Sequence, residues 1–137
     1  MAFQNPPDET IKVVLATPQT VAVVGCSPNP ERDSHRIAKL LKARGHRVIP
    51  VNPGHRAILG EACYASLRDI PERVDMVDIF RRSEHVSPIV DEAIEVGARI
   101  VWMQLGVIDE RAAAKAQSAG LTVVMDRCPA IEYRRLF

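Results

Sequence analysis

Three groups of residues in this chain of 137 residues have the chemistry to hold or attack a ligand. The first is the turn Gly25-Cys26-Ser27-Pro28-Asn29, which follows the β-branched run Thr20 to Val24 and leads, through Arg32, to a helical pattern that starts near Ser34. A glycine at the end of a buried strand lets the backbone turn sharply, so that loop amides and the next helix's N-terminus face a phosphate. The second group is cationic: Arg32, His55, Arg56, Arg81 and Arg82 all fall in stretches that read as loops. Together they predict a locally positive mouth for an anionic ligand. The third is the set of cysteines, in which Cys26 is the one candidate nucleophile, because a thiol beside a helix N-terminus among cations has a lowered pKa. None of His35, His46, His55 and His85 stands at a partnering or metal-ligand spacing, so no catalytic constellation and no metal site is expected. A reversible mixed disulfide between Cys26 and a thiol ligand is a separate expectation.

The elements that must position these residues follow from the apolar pattern. Strands are expected over Thr20–Val24, His46–Val51, Val74–Phe80, Arg99–Gln104 and Leu121–Met125, with a short edge strand within Ile58–Tyr64. The first helix places Ile37, Ala38, Leu40 and Leu41 on one face, with Asp33 or Ser34 as its cap and Gly45 in the left-handed position at its end. A second helix ends at Gly97, with Pro88 in its first turn; a third is capped by Asp109 and ends near Ala119; PAIEYRRLF closes the chain as a short helix. Residues 1–14 read as an N-terminal arm and 15–137 as one domain. Apolar strands alternating with helices predict a doubly wound α/β domain, with a mainly parallel sheet of five or six strands and helices on both faces.

Composition narrows the partners. With 18 basic and 17 acidic residues the net charge is +1, which argues against nucleic acid or a membrane surface. The cysteines are three in number and include no CxxC pair, so neither a disulfide framework nor zinc is expected, and a reducing cytoplasm is the simpler setting. No run approaches the roughly 18 apolar residues that cross a bilayer, and no signal peptide is read at the start.

In open α/β sheets ligands bind beyond the carboxyl ends of the strands, where strand order reverses. That rule gathers Gly25 to Pro28, Asn52 to Arg56, Phe80 to Ser83, and Gln104 to Gly106 along one crevice. Two further glycines of a dinucleotide fingerprint are missing after Gly25, and Asn52 stands where a ribose-binding acid belongs, which disfavours NAD. A phosphorylated adenosine ribose, as in coenzyme A or NADP, is compatible because His55 and Arg56 can meet the extra phosphate. Trp102 and Met103 read as core.

The motifs GCSPNPERDSH, VIPVNPG, VDMVDIFRRSE, VWMQLGV and VVMDRCPAIEY, in this order and over about residues 15–137, closely resemble the small stand-alone CoA-binding proteins of bacteria and archaea. That family is similar in turn to the N-terminal domain of the succinyl-CoA synthetase α subunit. The resemblance implies a Rossmann-like fold with the cofactor coenzyme A or an acyl-CoA. It implies phosphate contacts at Gly25, Cys26, Ser27 and the loop Pro28, Asn29 to Arg32, with Ser34 at the helix start. Asn52, Pro53 and His55 would lie beside the nucleotide, Ile79, Phe80 and Arg81 along its adenine or ribose side, and Gln104 and Gly106 at the pantetheine exit. His55 replaces a lysine of the synthetase, so a fixed charge becomes a titratable one. The phosphorylated histidine domain and nucleotide-binding partner subunit of the synthetase have no counterpart in this sequence, so ligase activity by the chain alone is not expected. The leading expectation is a non-catalytic CoA or acyl-CoA binder, with its thiol end open to an acyl-transferring partner. The apolar end formed by Ile131, Leu136 and Phe137 suits a homodimer. The alternatives are an NADP-type oxidoreductase or sensor, and a regulatory interaction module with a vestigial nucleotide pocket.

Overall fold

A computed structural model describes residues 3–137. The chain runs α1 (Asp8–Ala16), β1 (Thr20–Val24), α2 (Asp33–Ala43), β2 (Arg47–Val51), β3 (Ala57–Ile58), β4 (Glu61–Ala62), β5 (Met76–Ile79), α3 (Val86–Glu95), β6 (Ile100–Met103), α4 (Glu110–Ser118), β7 (Thr122–Val124) and α5 (Pro129–Leu136). Five strands form a parallel sheet in the order β2-β1-β5-β6-β7, so the predicted doubly wound α/β domain is the fold observed.

Alternation along the strands sends side chains to two separate cores. Ala22, Val24, Val77, Ile79, Val101 and Met103 face α3 and α4, which meet them with Val86, Val90 and Ala93 and with Ala112, Ala113 and Ala116. Val21, Val23, Val48, Met76 and Trp102 face the other way, toward Ile11 and Leu15 of α1, Ile37, Ala38 and Leu41 of α2, and Tyr133 of α5. The buried places of Trp102 and Met103 agree with their reading as core. Both faces of the sheet are covered, as a parallel sheet requires.

The helix signals were mostly legible. Asp109 Oδ1 accepts from the Ala112 amide at 3.0 Å and so caps α4 as expected. Pro88 occupies the first turn of α3, where a missing amide hydrogen costs no helical bond. The start of α2 differs: Arg32 is its N-cap residue, no side chain caps it, and Ser34 Oγ instead accepts from the Ser27 amide at 2.9 Å. The single edge strand expected within Ile58–Tyr64 is a small hairpin of β3 and β4, turned by Leu59 and Gly60 at φ +56° and +71°. The boundary expected between residues 14 and 15 falls inside α1, whose Ile11, Val14 and Leu15 are buried. Nearer the start, the Asn5 amide group pairs with both backbone groups of Met125, donating to its carbonyl at 2.9 Å and accepting from its N–H at 2.7 Å. Among the described residues, no helix is long and apolar enough to cross a membrane.

One polar knot joins α1 and α5 to the residues that lead into β1 and β2. Buried His46 accepts the Gln19 amide on Nδ1 at 3.1 Å and donates from Nε2 to the Tyr133 hydroxyl at 2.8 Å. That hydroxyl donates onward to the Leu15 carbonyl at 3.0 Å. The knot uses the neutral ring, and burial holds the His46 pKa below its usual 6.5. The unfolded chain therefore takes up a proton first as pH falls below about 6.5, and the stability present above that value is lost as pH falls through the folded-state pKa. The slope attributable to one proton is at most about 1.4 kcal/mol per pH unit. The stability difference between wild type and His46→Gln, measured by urea denaturation between pH 5 and 8, is expected to change with this slope below about pH 6.5, wild type losing its advantage as pH falls; a difference that does not change with pH would contradict the assignment.

Candidate functional site

The register of the sheet lines up the loops that leave it. Val24 pairs with Val51 and with Ile79, and Ile79 pairs with Met103, so Gly25, Asn52, Phe80 and Gln104 all begin their loops at one level. Strand order reverses between β1 and β5, which places the crevice beside Gly25 and Phe80. Gly25 has φ +85°, and a β-carbon there would lie 2.2 Å from the Phe80 carbonyl oxygen. Its amide donates to the Val51 carbonyl and the Phe80 amide to the Val24 carbonyl, both at 2.8 Å. The turn is thus tied to both neighbouring strands.

Beyond Gly25 the loop is held by its own hydrogen bonds. Asn52 Nδ2 donates to the Cys26 carbonyl at 2.8 Å, Ser27 Oγ accepts from the Asn29 amide at 3.0 Å, and His35 Nδ1 donates to the Ser27 carbonyl at 2.9 Å. Ser27 and Ser34 each accept through their hydroxyl oxygens, so each keeps a hydroxyl proton to donate. A cleft of about 540 Å³ opens here, lined by Gly25, Ser27, Arg32, Ser34, Arg36 and Phe80 among others. The uncapped first turn of α2 points its unbonded amides and positive dipole end toward this region.

Two further clefts adjoin. One of about 120 Å³ lies on the α3 side between Val24, Val51, Pro53, Leu67, Arg81 and Ile89. The other, of about 610 Å³, lies between α2 and α5 and shares Asp33, Arg36 and Phe80 with the first. Arg32, Arg56 and Arg81 are exposed and form no ion pair among the described residues, whereas Arg82 stands 3.9 Å from Glu84. The cationic loops expected from the sequence are therefore real surface charges, and two of them, Arg32 and Arg81, border the clefts.

The expected site residues divide into those that face these clefts and those that do not. Gly25, Ser27, Arg32, Ser34, Pro53, Phe80, Arg81 and Gln104 line them. Pro28, Asn29 and His55 are exposed on the loops but line none of the three, and Asn52 spends its side chain on the loop backbone. Gly106, at φ +83°, donates its amide to Asp126 Oδ1 at 2.7 Å. Ile79 is fully buried in the first core. The reading of Cys26 as a nucleophile with a lowered pKa is overturned. Its side chain is buried among Val21, Val23 and Ile37, and burial, followed by Cys63 and Asp78, pushes the thiol up to about 12. A mixed disulfide at Cys26 is blocked by the same burial.

Sequence reasoning also passed over Asp78, visible only as a break in a strand's apolar pattern. Asp78 is wholly buried; its Oδ1 accepts from Gln104 Nε2 at 2.5 Å and its Oδ2 has no partner among the described residues. Burial raises its pKa from the ordinary 3.8 to about 7, against the opposing effect of the Gln104 hydrogen bond. Cys128, which lies in the motif VVMDRCPAIEY and follows the fifth sheet strand, lines the cleft between α2 and α5 together with Arg134 of the closing helix.

A model of the CoA binding domain matches residues 19–134. An uncharacterised protein, YneT of Bacillus subtilis (strain 168), is 38% identical over 126 residues, which cover 92% of this chain and 93% of YneT. A solved structure of a hypothetical protein from Pyrococcus horikoshii OT3 superposes with a TM-score of 0.91 at 38% identity, covering 99% of each chain. The similarity to acetate–CoA ligase [ADP-forming] I of Archaeoglobus fulgidus, 40% identical over 78 residues, covers 57% of this chain but 11% of the ligase.

Two substitutions probe this geometry. Gly25→Ala must move backbone as well as adopt a left-handed φ, and is expected to cost more than about 1 kcal/mol in urea unfolding; unchanged stability would mean that the two loops do not approach as described. Asp78 binds its proton more tightly in the folded state, so its neutral form favours folding fully below about pH 3.8, and that advantage is lost as pH rises through about 7. Asp78→Asn, which keeps the acceptor for Gln104, is expected to gain stability over wild type between pH 4 and pH 8. A constant difference across that range would show that Asp78 does not titrate there.

Proposed function

The chain belongs to the CoA binding domain family, and on that premise we propose that it binds coenzyme A or an acyl-CoA without itself catalysing a reaction. The observation that carries this reading is the junction of β1, β5 and α2: a glycine too close to the Phe80 carbonyl to bear a side chain, beside an uncapped helix N-terminus and two serine hydroxyls with protons to give. Such a site suits a diphosphate, which takes hydrogen bonds from backbone amides and hydroxyls while the helix dipole and Arg32 offset its charge.

The nucleoside end lies toward Val24, Val51, Pro53 and Arg81, where an apolar wall, with Glu92 at its edge, meets a guanidinium that forms no ion pair among the described residues. His55 and Arg56, exposed on the loop after β2, supply cations for a phosphate on the ribose. In this reading Asn52 and the backbone of Cys26 shape the phosphate loop. Phe80 lines both the phosphate cleft and the one that passes Gln104, and the pantetheine arm takes that direction. Among the described residues no cluster of His, Cys, Asp and Glu could hold a metal ion. The curated ligase relative is far longer than this chain, so a ligase reaction is not carried over with the resemblance.

Isothermal titration in moderate salt is expected to show CoA binding that weakens as salt rises. Arg81→Ala and Arg32→Ala should each lose about 1 to 3 kcal/mol of affinity, the scale of a charge-assisted hydrogen bond. Binding of NADPH with none of CoA would replace this reading by an NADP-type protein. No binding of any adenine nucleotide would favour the regulatory module with a vestigial pocket.

A further inference from the structure

We propose that Asp78 is a positioning residue for the ligand's arm, acting through Gln104 so that seating the arm in the cleft between α2 and α5 is coupled to a proton on the Asp78 carboxyl; this rests on the CoA-binding reading above and extends it to a residue that touches no ligand.

Asp78 stands in the middle of the sheet, in register with Val23 of β1 and Trp102 of β6, and is wholly buried. Its Oδ1 accepts from Gln104 Nε2, and its Oδ2 is the one buried side-chain nitrogen or oxygen without a hydrogen-bond partner among the described residues. Buried Glu132 shows what this fold does where it stabilises a negative charge, because Arg127 and Arg135 both meet it. The Asp78 oxygens meet Gln104 and no cation among the described residues. A carboxyl in that position holds its proton far more readily than an exposed one.

Gln104 is the link from this acid to the ligand. It is only 4% exposed, is bonded to Asp78, and forms part of the wall of the 610 Å³ cleft. The same wall carries Ile37, Phe80 and Val107 together with Asp33, Arg36 and Arg134. In the open cleft, water beside Gln104 steadies the ionised form of Asp78. An arm lying against Gln104 excludes that water, and the ionised carboxyl loses solvation that no cation replaces, whereas the neutral acid loses little. The arm therefore binds the protonated form better, and by reciprocity the proton binds the occupied protein better.

Few other groups that titrate face Asp78. The Cys26 thiol does so from the loop after β1 and, pushed up to about 12, stays neutral; Cys63 lies beyond it. Helices α1 and α2 meet this side of the sheet with Ile11, Leu15, Ile37 and Leu41, and α5 with Tyr133, whose hydroxyl is bound to His46. The charges of Asp33, Arg36 and Arg134 and the Cys128 thiol belong to the cleft wall. Burial is the main influence on Asp78 and brings its titration to about 7, against the Gln104 bond. Arm binding raises that value further, so its advantage is complete below about pH 7 and is lost as pH rises through the higher value of the occupied protein.

The test is calorimetry of the full chain under reducing agent, between about pH 6.5 and 8.5, with CoA and with the same phosphoadenosine diphosphate lacking the arm. The affinity for CoA, relative to the arm-less nucleotide, is expected to fall at least about threefold over that range, within the limit of about tenfold per pH unit for one proton. Taking the ratio cancels titration of the shared phosphates and of His55. Heats in buffers of different ionisation enthalpy should show proton uptake with CoA in excess of that with the arm-less nucleotide. Asp78→Asn, neutral at every pH, should make the ratio independent of pH. A constant ratio in wild type, or the same fall in Asp78→Asn, would overturn the coupling; if that variant fails to fold, the wild-type ratio and the buffer heats decide alone. CoA binding with a constant ratio removes only the coupling, and no CoA binding at any pH removes the binding reading as well.

Discussion

The close approach of Gly25 to the Phe80 carbonyl is the constraint on which the rest of the rim depends. Parallel neighbours β1 and β5 lead into loops that diverge to opposite sides, and the chain at Gly25 must turn against the backbone of Phe80. Only a residue with no β-carbon and a free choice of φ passes that point without pushing the strands apart. Once it is passed, the ladder fixes the level of Asn52, Phe80 and Gln104, and Asn52 holds the loop from the far side. The clefts are thus properties of strand register and one missing side chain, more than of the residues that line them.

Three buried titratable groups show how differently the same interior treats charge. His46 has a hydrogen-bond partner on each ring nitrogen and stays neutral. Glu132, 2% exposed, is met by Arg135 at 2.8 Å and Arg127 at 3.4 Å, and the same Arg135 makes a two-bond clasp on Asp8 that ties α1 to α5. Asp78 has only Gln104 and one oxygen without a partner among the described residues. The first two are satisfied and belong to the framework. The third is not, and it lies directly behind a cleft, where unsatisfied groups are tolerated for what they position.

What could be read from the amino-acid sequence was set by periodicity and by local chemistry. The five sheet strands, the Asp109 cap and the convergence of four loops all follow from short-range pattern plus the rule for open sheets. What could not be read depends on long-range direction. Cys26 sits between a glycine and a serine in a loop, and nothing local says that its side chain turns back toward Ile37. Ile79 belongs to the site by position, yet strand alternation buries it opposite Asp78. Ser34 resembles a helix cap, but its oxygen is claimed by the Ser27 amide. Leu59 adopts a left-handed φ that its type seldom takes, which concealed the hairpin.

The pairing of Asn5 with Met125 has a meaning apart from ligands. Strand β7 is at the edge of the sheet, and an exposed edge offers unpaired backbone groups to any passing strand. Just past the end of β7, at Met125, the Asn5 carboxamide fills that place as a backbone unit of a sixth strand would, satisfying one donor and one acceptor at once. The molecule thereby ends its own sheet with a single side chain, and one of its ready sites for edge-to-edge aggregation is closed.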